Sequence, residues 1–157
     1  MQKPIDDVHP LMPHGGKMML LHQVIDYDDD SLSAYAEVTH KHIFAHEGCL
    51  PSWAAMEFMA QGVAAWAGCM GQRTGEPVRL GFLLGTRKLC LHFDALALPA
   101  TLYVSIKASL QDSNGFGVFD SVLWLCDEQK NPIQLLAEGA LNVYSPKEDV
   151  VNGVKIT

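Results

Sequence analysis

The chain has 157 residues, 48% hydrophobic and 18% charged, which suits one packed domain and excludes wholesale disorder. Eighteen acidic against eleven basic residues leave a formal charge of −7, so a general affinity for nucleic acid, which needs a basic footprint, is excluded. The four cysteines, Cys49, Cys69, Cys90 and Cys126, form no C-x-x-C pair, which disfavours a structural zinc site and a disulfide scaffold and suits a reducing cytoplasm.

The N-terminal residues carry Lys3, Asp6 and Asp7 with no apolar stretch behind them, so no targeting segment is expected. Residues 1–17, rich in Pro, His and Gly, are predicted to be irregular. Met18–Tyr27 is apolar, ends at Asp28-Asp29-Asp30 and is predicted to be a strand. Ser31–Thr39 alternates with Leu32, Ala34, Ala36 and Val38 on one face and is the return arm of a hairpin. Residues 40–51 form a loop. Ser52 is a good N-cap type, and a helix is expected near residues 52–71, stopped within Gly71–Pro77. From Trp53 to Met70 this segment is apolar or Gly nearly all round, so it must be covered on most sides. Glu57 and Gln61 interrupt it, and a carboxylate in mid-membrane costs about 2.5–3.5 kcal/mol, so a buried central helix is a better reading than a membrane span. Leu80–Phe93, Thr101–Asp112, Phe116–Asp127 and Ile133–Tyr144 are predicted strands, the second and third joined at Asn114-Gly115. The polar tail, residues 146–157, is expected to fray.

Two strands, one apolar helix and about four strands are satisfied by one antiparallel sheet curled around the helix. The helix's other side would be covered by loops or by a second chain, so the expected fold class is α+β, one domain over residues 1–157, dimeric.

Three features could carry chemistry. Glu57 and Gln61 lie four residues apart on one helix face. Burial raises a carboxyl pKa, as a general acid near neutral pH requires, although a buried Glu57 could equally fix the fold through a hydrogen bond. His40, His42 and His46 precede the helix; histidine moves protons near neutrality, while a single loop histidine is most often simply solvated. Their spacing matches no helical ligand pair, so a metal site is not expected, and no flavin or nicotinamide site is suggested. The helix start, Ser52-Trp53-Ala54, offers free N–H groups that could hold a developing oxyanion, with Trp53 able to line a pocket.

The stretch His46-Glu-Gly-Cys-Leu-Pro51-Ser-Trp-Ala-Ala-Met-Glu57-Phe-Met-Ala-Gln61 resembles the central-helix motif of the hot-dog-fold 3-hydroxyacyl-[acyl carrier protein] dehydratases, with Pro51, Glu57, Ala60 and Gln61 in register. Met12-Pro13-His14 with the strand after it resembles the family's opening, and the likeness runs from about residue 10 to about 145. The form P-x-W-x-x-x-E-x-M-A-Q resembles most the dehydratase-like proteins of aryl polyene biosynthesis clusters.

The resemblance implies dehydration of 3-hydroxyacyl thioesters to trans-2-enoyl thioesters at a dimer interface, without a cofactor. The helix glutamate, here Glu57, handles the leaving hydroxyl, and a loop histidine from the other subunit takes the α-proton. Backbone N–H groups at the helix start polarise the carbonyl, so Ser52, Trp53 and Gln61 are expected beside the substrate. The chain departs from the family at the base. Ile43 stands at the family's histidine position, with His42 one residue and His46 three residues away, and Ala45 and Gly48 replace prolines. His46 is the expected base, on a remodelled loop. The alternative is a non-catalytic or half-catalytic subunit that binds acyl chains and stabilises a partner dehydratase; a thioesterase on the same fold is a third reading. The expected partners are an acyl carrier protein and a second hot-dog chain, identical or related. Arg73, Arg79, Arg87 and Lys88 would form a basic docking patch for the acidic carrier.

Overall fold

The computed structural model describes residues 4–11, 16–75, 81–145, 149–151 and 154–156. The Met12-Pro13-His14 motif and Arg79 lie outside the described residues. Strands β1 (Gln23–Tyr27), β2 (Ser31–Val38), β3 (Cys49–Pro51), β4 (Phe82–Leu91), β5 (Ala95–Ala97), β6 (Ala100–Gln111), β7 (Phe116–Cys126) and β8 (Pro132–Tyr144) surround one long helix, α1 (Ala54–Thr74). The main sheet has six strands in the order β1-β2-β6-β7-β8-β4, all neighbours antiparallel. β3 and β5 pair separately.

Period-two patterning decides which face of the sheet meets the helix. On β2, Leu32, Ala34, Ala36 and Val38 are buried, and on β6 Leu102, Val104 and Ile106. The helix packs on these residues through Gly62, where an added Cβ would lie 3.2 Å from side-chain atoms of both Val104 and Ile106. Further along, the Trp66 ring meets Phe119 edge-on at 5.4 Å, and its indole N–H donates to the Asp28 carbonyl at 3.1 Å.

Several boundaries differ from the sequence expectation. The first strand begins only at Gln23; Gly16–Met18 forms a short 3-10 helix, and residues 19–22 are irregular. Gln61 explains this, because its side chain takes the main-chain groups of Met18 and Leu20 that a strand would have paired. The helix starts at Ala54, not at Ser52, whereas its stop, at Gly75 with a left-handed φ of 75°, falls within the expected Gly71–Pro77. Ser52 does not cap it: Trp53 occupies the cap position and no side chain bonds the first-turn N–H groups. The tail is not wholly frayed, since Asp149–Val151 pairs with Val154–Ile156.

Candidate active site

The loop between β2 and the helix is organised by main-chain bonds. His42 N–H donates to the Thr39 carbonyl at 3.1 Å, and Ala45 N–H to the His42 carbonyl at 2.9 Å. His46 and Cys49 then exchange both main-chain bonds, at 2.8 and 3.0 Å, closing a two-residue hairpin. Its central residues, Glu47 (φ 51°) and Gly48 (φ 76°), have the paired positive φ of a type I′ turn. Leu98 N–H donates to the Gly48 carbonyl at 3.0 Å, tying the hairpin to the segment after β5. The chain then passes through β3, Ser52 N–H donates to the Asp94 carbonyl at 3.0 Å, and the helix begins.

The candidate side chains fall into different settings. Glu57 sits in the first helical turn and is exposed, so within one chain the expected burial is absent. Among the described residues it has no hydrogen-bond or ion-pair partner. Gln61, one turn on, is buried: it accepts from Leu20 N–H at 2.8 Å and donates to the Met18 carbonyl. Its amide therefore holds the N-terminal segment on the helix. His46 is exposed at the hairpin, with Nε2 3.9 Å from the Glu47 carboxylate. His42 is half-buried, and Phe44 N–H donates to its Nδ1 at 3.1 Å. Burial, with His22 nearby, pushes the His42 pKa below its ordinary value. Its ring packs on Phe44 at 5.4 Å and on the fully buried Phe58 at 5.9 Å. Phe44 in turn meets Trp53 edge-on at 5.1 Å, and Trp53 remains 56% exposed at the helix start. This aromatic cluster, which sequence spacing did not reveal, joins the histidine loop to the first turn. Ile43 between the histidines is exposed.

Farther along the helix lies a cavity of about 290 Å3, lined by Val63, Trp66, Met70, Phe116, Phe119 and Val143 among others. Phe116 and Phe119 line this cavity, whereas Phe58 and Met59, on the helix, are fully buried in the core. Among the described residues no cluster of three or more His, Cys, Asp or Glu could hold a metal ion, and no helix is long and apolar enough to cross a membrane.

An antiparallel sheet laid over a single long helix is the hot-dog architecture. Residues 6–154 match the ApeP-like family, described as ApeP dehydratase. The chain belongs to this family of dehydratases, in agreement with the motif between Pro51 and Gln61. It is also similar to a chain of the dehydratase heterocomplex ApeI:P from Xenorhabdus doucetiae, at 30% identity and a TM-score of 0.80 over 89% of this chain and 91% of that one. Two remoter structures share the fold. Cj0977 from Campylobacter jejuni is 14% identical with a TM-score of 0.59, covering 91% of this chain and 90% of that one. A hypothetical thioesterase from Streptococcus pneumoniae, solved with coenzyme A, is 11% identical with a TM-score of 0.57, covering 78% and 86%. A search of curated protein sequences found no significant match.

Proposed function

We propose that this chain removes water from 3-hydroxyacyl thioesters carried on an acyl carrier protein in the cytoplasm, giving trans-2-enoyl thioesters, at a site completed by a second hot-dog chain. Glu57 gives its proton to the β-hydroxyl, which leaves as water. A histidine takes the α-proton, and the electron pair of that C–H bond becomes the new C=C bond. N–H groups at the start of the helix stabilise the enolate-like oxygen. His46 is the candidate base within this chain. The observation that carries the reading is the placement of Glu57: the single carboxylate of an apolar helix, exposed in the first turn and, among the described residues, not tied into the fold.

The second chain is supported by what one chain leaves open. At one end of the sheet β1 is bridged by Ile5. At the other, among the described residues, β4 pairs only with β8 and keeps Phe82, Leu83, Leu84 and Leu91 exposed. A long apolar edge is a template for strand pairing unless something covers it. The cavity beyond Val63 would receive the far end of the acyl chain, about 9–20 Å from Glu57 at 1.5 Å rise per residue.

The test is turnover of a 3-hydroxyacyl thioester by the wild type and by Glu57→Gln, each alone and with its partner subunit. Loss of about 10²–10⁴-fold in the variant is expected, the usual contribution of a general acid or base. Unchanged turnover would remove Glu57 from the mechanism. Unchanged turnover of the complex alone, with the wild-type chain inactive by itself, would favour the acyl-binding, partner-stabilising reading.

A further inference from the structure

His42 is joined to its surroundings through both its main chain and its ring. Its N–H and C=O close the two turns on either side, at 3.1 and 2.9 Å. Its Nδ1 accepts from Phe44 N–H at 3.1 Å, two residues on. Its ring lies against Phe44 and Phe58, at 5.4 and 5.9 Å. A backbone N–H can only donate, so the ring nitrogen that faces it must carry a lone pair and no proton. In a neutral imidazole the proton is then on Nε2. A nitrogen that already carries a proton cannot take another, so the free end of this ring is a hydrogen-bond donor. Using Nδ1 as the base instead would break the bond that closes the loop.

We infer that His42 is a positioning residue held in the Nε2–H tautomer, which fixes the histidine loop on the first turn of the helix and is barred from acting as the proton-abstracting base. The inference rests on the dehydratase reading for its functional half and on geometry alone for its tautomer. It assigns a histidine that packs against the first turns of the helix to the framework of the site. The α-proton must then go to His46 or to a group on the second chain. Phe58 and Phe44 matter in the same way: one anchors the ring in the core, the other links it to Trp53.

The tautomer can be read directly by nitrogen-15 NMR of the full chain with labelled histidine, above pH 6.5, the ordinary histidine value. An unprotonated Nδ1 and a protonated Nε2 for His42 are expected; a protonated Nδ1 would overturn the inference. Two variants test the function, assayed with the partner subunit where turnover needs it. The side-chain oxygen of His42→Asn can replace Nδ1 as acceptor of the Phe44 N–H, whereas His42→Ala cannot. The Asn variant should lose less than about tenfold in kcat/KM, against about 10²–10⁴-fold for removal of a general base. The Ala variant should lose more than the Asn variant. A base-like loss in a correctly folded Asn variant would overturn the inference, as would equal retention in both variants. If no thioester is turned over under any condition, the dehydratase reading fails, while the NMR result still decides the tautomer.

Discussion

Glu57 and Gln61 stand one helical turn apart on nearly the same face, yet Glu57 is exposed and Gln61 is 3% exposed. Helical periodicity would give them the same environment. The difference comes from what lies over each turn. Met18–Leu20 crosses above Gln61 and takes both ends of its amide, and farther on the Leu11 backbone crosses so closely above Gly68 that an added Cβ would lie 1.8 Å from the Leu11 carbonyl oxygen. Glu57 is exposed and, among the described residues, has no such tie. One helix therefore has a sealed part, where a polar side chain is a structural tie, and an open first turn, where a polar side chain stays available. The same residue class does opposite jobs depending on a segment more than forty residues away in sequence.

Substitutions on the two sides should separate cleanly. Glu57→Gln should have the largest effect, about 10²–10⁴-fold in turnover, with an unfolding midpoint matching the wild type; a drop in stability of the complex-free chain would show that the first turn is not open. Gln61→Ala should do the reverse. It leaves the buried Leu20 N–H without its partner, at about 1–3 kcal/mol for a buried unsatisfied group, measurable in urea unfolding; the Met18 carbonyl, on an exposed residue, can turn to water. Gly68→Ala should cost a similar amount, about 1–3 kcal/mol, by forcing the helix and the Leu11 backbone apart, and exchange protection of the N-terminal segment should fall with it.

A smaller effect is expected from pH. Burial holds the folded His42 pKa below the ordinary 6.5, so the unfolded chain binds this proton first. The stabilisation is complete above 6.5 and is lost as pH falls through 6.5 toward the folded value, with His22 nearby adding charge repulsion. Thermal unfolding on both sides of 6.5 should show this slope in the wild type and a shallower one in His42→Asn. Smallest is the effect of reversing Arg87 and Lys88, both exposed on β4. It should slow reaction with a carrier-linked substrate and leave a small thioester untouched, because rim charges act mainly on association. Arg73 is a poorer candidate for docking, since it is already paired with Asp29 at 2.9 Å.

Periodicity and turn chemistry made most of the architecture legible. The alternation on β2 and β6, Asn114-Gly115 between β6 and β7, and the apolar run of α1 all act locally, and each appears where those rules put it. Less legible were features created by distant packing. Nothing near Gln61 announces that it will bond Met18 and Leu20, and those bonds delay the start of β1 to Gln23. Ser52 looked like a cap by residue type, but its N–H is drawn to Asp94, and the helix begins after Trp53. At the site, the motif marked Glu57 and the loop histidines but not their settings. The tautomer of His42 follows from the Phe44 N–H, a main-chain group that a sequence pattern does not display.

The tight turn at His46–Cys49 bears on how this loop can diverge among relatives. The hairpin is closed by main-chain bonds and by the backbone conformation of Glu47 and Gly48, so it asks nothing of the side chain at position 46. That position can drift through many residue types while the loop keeps its path. Position 48 tolerates little besides glycine or asparagine. A saturation library at 46 would thus sample proton-transfer groups on a constant scaffold, whereas the same library at 42 would dismantle the loop that displays them.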